Sequence, residues 1–273
     1  MSAASSLFSS SSPSLSEVAF KNVIALIVFN FSEHIVHNVQ LLNKLYGKHF
    51  RKLIFYSDTM FPDDPNETIT INYSSGESFQ INYCSIQKGY LTHKIFPHFY
   101  RKYKSEIEQA DGVFYFMDDC AINTAVLSTL SVDKPIAIQP NLITGIVSDW
   151  QWIHIYRDRM MLLTQSGKHH HLYYGMFSDY FYLPRRMWTE MLVALFEIFA
   201  NYDIFLEIAI PTVLREIAVN YVEHKSHILW NDDRNKVTQA GWVEQQFKQE
   251  NVLIIHPIKL ADPAHRHLLD FML

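Results

Sequence analysis

Gly112-Val113-Phe114-Tyr115-Phe116-Met117-Asp118-Asp119-Cys120 reads as a buried strand that ends in two adjacent carboxylates. An unbroken apolar run is what a strand covered on both faces requires. Open α/β sheets built from such strands bind ligands in the crevice beyond their C-terminal ends. Hard divalent cations prefer carboxylate oxygens, so an ion held by Asp119 and Asp118 can grip the diphosphate of a nucleotide. The same pair also suits a turn that caps a helix over Ala121 to Leu130. Both readings stand on these residues alone.

Upstream, Asn22 to Phe29 (NVIALIVF) is a second continuous apolar strand. Glu33 to Tyr46 follows with Ile35, Val36, Val39, Leu41, Leu42 and Leu45 on a helical stripe, and Ser32 suits its N-cap. Lys52 to Tyr56 predicts another buried strand, ending at Ser57-Asp58, and Pro62 to Asn66 a loop. Thr68 to Tyr83 predicts short strands around a Ser74-Ser75-Gly76 turn; Phe96 to Gln109 predicts a helix and Pro135 to Gln139 a short strand. Strands interleaved with helices imply βαβ units and a parallel sheet, a Rossmann-like nucleotide-binding half over 18–140. The acceptor-side half, 141–273, predicts helices over Asp149 to Thr164, Arg185 to Ala200 and Thr212 to Val222, the last opened by Pro211. Strands are expected within Leu172 to Leu183, at Asp203 to Leu206 and at Val252 to Ile255. The fold class is α/β, one domain over 18–273 behind a Ser-rich disordered leader, 1–17.

Composition narrows the function classes. The chain has 273 residues, 48% apolar and 14% aromatic, enough for a sizeable core. Its net charge of -5 argues against a nucleic-acid scaffold, which needs a basic patch. Cys84 and Cys120 are the only cysteines, so neither a disulfide framework nor a zinc cluster is expected. No apolar run reaches the roughly 18 residues of a membrane span, and a cytoplasmic protein without a transmembrane segment is the simpler expectation.

Polar groups at the expected strand ends are the candidate site. Asn30 follows the first strand, Ser57 and Asp58 the second, Asp118 and Asp119 the third; Glu207 follows Asp203 to Leu206, and His256 follows Val252 to Ile255. Asp119, with Asp118, is expected to bind Mn²⁺ or Mg²⁺, His256 to complete the coordination and Lys259 to neutralise phosphates. Asp58 suits a ribose or uracil hydroxyl, and Glu207 suits a general base. His93 and Lys94 precede a helix and suit a diphosphate or a solvated loop. Trp150, Trp152, Tyr173, Tyr174 and Trp188 suit either sugar stacking or core packing. The tandem His169-His170-His171 cannot all face one ion.

The Tyr56-Ser57-Asp58 motif, the DXD-like acidic pair and His256-Pro257-Ile258-Lys259 together resemble the GT-A glycosyltransferases. YLTHKIFPHFYRKY (90–103), DGVFYFMDDCAIN (111–123), YYGMFSDYFYLP (173–184) and FLEIAIP (205–211) resemble more closely the chlorovirus-encoded sugar transferases, xylosyltransferases in particular, with plant STELLO proteins as distant relatives. The resemblance spans roughly Asn22 to Leu260. It implies a GT-A-like fold with a mixed central sheet, and a nucleotide-sugar donor, UDP-xylose above others. It also implies an oligosaccharide acceptor in capsid-glycan synthesis and a host-cytoplasm location. The family's metal position falls on Asp119 with Asp118, its C-terminal metal-binding histidine on His256, and its catalytic base on Glu207 with Asp179 as competitor. The usual DXD has an acid at each end, whereas Met117-Asp118-Asp119 and Asp118-Asp119-Cys120 each offer two adjacent acids and no other. A nucleotidyl or phosphoryl transferase and a non-catalytic carbohydrate-binding module are the alternatives; neither G-x-x-x-x-G-K-[ST] nor G-x-G-x-x-G occurs to support the former.

Overall fold

The run Val23–Phe29 forms the first strand and is buried at all seven positions. The computed structural model describes residues 20–273 apart from 31–34, 59–67, 144–149, 170–171, 219, 240 and 261. In chain order the elements are β1 (Val23–Phe29), α1 (Ile35–Tyr46), β2 (Lys52–Asp58), β3 (Thr68–Asn72), β4 (Ser78–Cys84), α2 (Ile95–Gln109), β5 (Gly112–Met117), β6 (Ala121–Ile122), α3 (Thr124–Leu127), β7 (Asn141–Leu142), α4 (Gln151–Gln165), β8 (Tyr174–Gly175), β9 (Tyr180–Pro184), α5 (Glu190–Asn201), α6 (Leu206–Ile217), β10 (Ser226–Ile228), α7 (Trp242–Lys248), β11 (Ile254–His256) and α8 (Pro263–Arg266).

The main sheet has six strands in the order β3-β4-β2-β1-β5-β9. β4, β2, β1 and β5 run parallel, while β3 and β9 close the two edges antiparallel. The chain is therefore a mixed α/β fold with a mixed central sheet. Alternation along β5 sorts its aromatics onto both faces. Phe114 and Phe116 meet Phe50 and Tyr46, the latter from α1, whereas Tyr115 meets Phe96 of α2 and Phe181 of β9. A second sheet, β10-β11-β6, stands beside it, and β7 pairs with β8. Both larger sheets contain strands from either side of position 140.

Several expected elements are corrected. Ala121 to Leu130 is not one helix: Ala121 and Ile122 are drawn into pairing with β11, and only Thr124–Leu127 is helical. Pro135 to Gln139 makes a single bridge, Ile136 to Tyr182. The helix expected from Arg185 begins at Glu190, where Thr189 accepts a hydrogen bond from the Leu192 N–H. Asp203 to Leu206 is not a strand, because α6 starts at Leu206 and ends at Ile217 instead of spanning Thr212 to Val222. Ser32, the Pro62 to Asn66 loop and the leader lie outside the described residues. Among the described residues no helix is long and apolar enough to cross a membrane.

Gly112 starts β5 and lies close against the β9 backbone. A Cβ there would sit 2.5 Å from the Leu183 carbonyl oxygen and 2.5 Å from the Tyr182 hydroxyl. Gly112→Ala must push the paired strands β5 and β9 apart and is expected to lower unfolding free energy by about 1–3 kcal/mol. Urea denaturation tests this, and an unchanged midpoint would mean that the β5–β9 pair opens without strain.

Candidate functional site

β5 ends in a tight turn: the Cys120 N–H donates to the Met117 carbonyl (3.0 Å), and Asp118 and Asp119 occupy the turn between them. The helix that follows is capped by Asn123, whose side chain accepts from the Val126 N–H. The capping reading of the acidic pair is therefore set aside, although the turn itself is there. Asp118 stays with the main sheet. Its N–H donates to the Val28 carbonyl (2.9 Å), and its carboxylate accepts from the Asn30 N–H (3.3 Å) at the end of β1. Asn38, a fully buried amide on the apolar stripe of α1, also hydrogen-bonds Asp118.

Asp119 turns the other way, towards the C-terminal segment. Its Oδ1 lies 3.3 Å from His256 Nε2, and its Oδ2 is paired with Lys259. His256 Nε2 also lies 3.1 Å from Asp179 Oδ2. The backbone repeats the connection, since Ile258 donates to the Asp119 carbonyl (2.7 Å) and Met117 donates to the Asp179 carbonyl (2.8 Å). Burial opposes charge on Asp119, but His256 and Lys259 outweigh it and hold its carboxyl well below the usual range. Asp118 moves the other way: burial and the adjacent Asp119 charge raise it. Burial likewise disfavours the His256 imidazolium, yet Asp119 and Asp179 push it up to about 9.

Glu207 enters from the first turn of α6, and a proline explains its setting. Pro211 has no N–H for the carbonyl four residues back, and the freed Glu207 carbonyl accepts from Met176 instead (3.2 Å). The Glu207 side chain is buried, and burial, followed by the Asp179 charge, pushes its carboxyl up to about 8. No ion pair to Arg186 or Arg215 takes it up among the described residues. It lines a cavity of about 810 Å³ with Trp150, Trp152, Phe177, Ile228 and Trp230. That volume lies in the range of small-molecule sites. The cavity abuts the acidic cluster twice: the Phe177 ring lies 4.6 Å from the His256 ring, and Ile228 of β10 pairs with His256 of β11.

Asn30, Asp118, Asp119, Asp179, Glu207, His256 and Lys259 thus gather in one region. Other expected groups do not. Asp58 spends its carboxylate on the next loop, accepting from the Ile86 N–H (2.9 Å) and the Lys88 N–H (2.7 Å). Gly89 closes that loop over Asn30 with φ +91, and a Cβ there would meet Asn30 Oδ1 at 2.4 Å. Ser57 is fully buried within β2. His93 is corrected from a surface contact to a core residue: it is fully buried, and burial drives it down to about 3, so it stays neutral. Lys94 pairs with Asp203. Of the five aromatics, Trp150 and Trp152 line the cavity; Trp188 packs on Phe96 and Phe99, Tyr173 donates to the Met160 carbonyl (2.8 Å), and Tyr174 stacks under Arg215. His169 is buried against Tyr173 and Phe199, and His170 and His171 lie outside the described residues.

The donor set fits a divalent cation. Among the described residues Asp118, Asp119, Asp179 and Glu207 face two cations, His256 and Lys259, and burial together with this excess of acid pushes the Asp118 and Glu207 carboxyls up. Asp119 Oδ1 has no partner with hydrogen-bond geometry among the described residues, and neither has His256 Nδ1. Asp119, Cys120 and His256 bring ligand atoms within 4.8 Å of one another. Cys120, Asn38, Phe177 and Trp230 escaped the sequence reading; a lone amide on the α1 stripe was the one signal among them. No family model matches the chain, and no curated protein is significantly similar to it.

The raised Glu207 carboxyl makes stability depend on pH. The folded chain keeps a proton there that the unfolded chain releases above its ordinary value of 4.5. This stabilisation is complete below that value and is lost as pH rises towards 8. His256 adds a loss of the same sign, from its ordinary 6.5 up to about 9, with or without Glu207. Glu207→Gln keeps the neutral shape, so its stability margin over the natural chain should widen between pH 5 and 8, by at most about 1.4 kcal/mol per pH unit. Denaturation curves at stepped pH test this; parallel profiles would mean that Glu207 is ionised in the folded protein.

Proposed function

We propose that the chain is a cation-dependent glycosyltransferase of GT-A-like organisation. It moves a sugar from a nucleotide diphosphate donor to an acceptor hydroxyl with inversion. The observation that carries this reading is the buried acidic cluster at the C-terminal end of β5, sharing a wall with an aromatic-lined cavity that holds Glu207. Aromatic faces suit the apolar faces of sugars, and the cluster suits a cation. The resemblance read from the sequence supplies the finer choice: a UDP-sugar, with UDP-xylose first, and a glycan acceptor.

Asp119 and His256 would hold the Mn²⁺ or Mg²⁺, which when bound offsets charge developing on the departing diphosphate. The chain's own residues do the rest. Lys259 neutralises a phosphate oxygen. Glu207 takes the acceptor's proton as its oxygen bonds to the anomeric carbon and the bond to the diphosphate breaks. A carboxyl raised to about 8 is a stronger base once ionised, and a value near working pH suits proton transfer. Asp179 is the weaker candidate, since its carboxylate already holds His256 at 3.1 Å. Trp150, Trp152 and Trp230 form the walls that orient the sugar rings.

A panel of UDP-, GDP- and other nucleotide sugars, scored for cation-dependent hydrolysis and transfer, tests the reading. UDP-xylose should be preferred. Asp119→Asn should lose transfer and weaken UDP binding at least tenfold. Glu207→Gln should lower transfer by about 100-fold or more with UDP affinity unchanged. Full transfer by Glu207→Gln would remove it as the base, and absence of turnover with every nucleotide sugar would overturn the proposal.

A further inference from the structure

We propose that Cys120 is a metal ligand, completing with Asp119 and His256 a mixed oxygen–sulfur–nitrogen centre that selects a first-row transition-metal ion over magnesium. This rests on the reading that Asp119 and His256 hold a cation. It departs from an all-carboxylate pair, and the geometry gives the reason. Asp118, the obvious second ligand by sequence, points its carboxylate at the Asn30 N–H and Asn38. Cys120, at the other side of the turn, has its sulfur on the Asp119–His256 side: the three ligand atoms lie within 4.8 Å of one another, and all three residues are buried.

One unsatisfied atom points to a missing partner. Asp119 Oδ1, in a residue only 4% exposed, has no partner with hydrogen-bond geometry among the described residues, its contact to His256 Nε2 at 3.3 Å being an ion pair alone. Buried polar atoms are rarely left unpaired. Lys259 occupies Asp119 Oδ2 and leaves Oδ1 to the His256 side, where a cation would sit between them. The Cys120 thiol is only weakly committed, donating to the Asp179 carbonyl at 3.7 Å. When the sulfur–metal bond forms, that S–H bond breaks and its proton passes to solvent; no electrons are transferred. Magnesium binds oxygen and keeps its waters, whereas thiolate and imidazole favour later transition metals. The centre would accordingly keep manganese and reject magnesium, with cobalt and zinc held more tightly than either.

Cobalt(II) is the probe, because a thiolate ligand produces an intense near-ultraviolet charge-transfer band that oxygen and nitrogen ligands do not. The full-length chain titrated with Co²⁺ should develop this band, and a large excess of Mg²⁺ should not erase it. The band should persist in Cys84→Ser, whose sulfur lines a separate cavity with Lys94 and His98, and vanish in both Cys120→Ser and Cys120→Ala. Zinc affinity should fall by about tenfold or more in those variants, with melting in EDTA used to confirm that they fold. Cobalt bound by the natural chain with only visible ligand-field bands would overturn the thiolate while leaving the Asp119–His256 site intact. A charge-transfer band that follows Cys84 would also overturn it. Absence of any cobalt or manganese binding would overturn both this proposal and the metal reading beneath it.

Discussion

The buried charge of Asp119 dictates the arrangement around it. A carboxylate only 4% exposed has to be paired, because a buried charge left alone costs several kcal/mol. Its partners, His256 and Lys259, come from the far end of the chain. Their pairing fixes where the C-terminal segment crosses the turn after β5, and the Ile258 N–H donating to the Asp119 carbonyl locks the crossing. β11 then lies beside β6, and β10 beside β11, so the small sheet takes its position from the main one at this turn. Asp179 is drawn in from the start of β9 through the same histidine. One ion-pair network thus joins β5, β9 and β11, and the network is also the candidate site.

Glu207 connects that network to the cavity. Pro211 deprives its carbonyl of the ordinary helical donor, Met176 supplies another, and the first turn of α6 is thereby tied to the segment carrying Phe177 and Asp179. The cavity walls come from the β7–β8 pair, α4, β10 and the start of α6. What makes the region chemically distinctive is its imbalance: four acids against two bases among the described residues, a charge deficit that adds to burial in pushing the Asp118 and Glu207 carboxyls up. A divalent cation would meet the same deficit, which is the physical basis for reading the cluster as a diphosphate site and not as a structural salt bridge.

Much of the main sheet was legible because its strands are long and unambiguous. NVIALIVF, KLIFY and GVFYFM are too apolar to be anything but covered strands, and the Ser74-Ser75-Gly76 turn marks the β3–β4 hairpin. The elements misread were those decided by remote partners. Ala121 and Ile122 have the composition of a helix start, but pairing with Ile254 and Ile255 draws them into a strand. Asp203 to Leu206 looks like a strand because Ile204, Phe205 and Leu206 are apolar; they are apolar because they sit in the core where α6 begins. The acidic pair and His256 were legible from their place after apolar runs. The division of labour within the pair was not, because it depends on Asn30 and Asn38 on one side and Lys259 on the other. His93 looked like a loop residue for the same reason: nothing local reveals that the helices around it close over the ring.

If the acidic cluster binds a nucleotide diphosphate together with a cation, the melting temperature of the full chain should report it. The comparison needs UDP with Mn²⁺, each alone, and ATP with Mn²⁺. Ligand that binds only the folded state raises stability by mass action. UDP plus Mn²⁺ should give a rise that exceeds the sum of the separate additions, is absent with ATP, and is lost in Asp119→Asn. An unchanged melting temperature, or a rise that Asp119→Asn retains in full, would contradict diphosphate binding at this cluster.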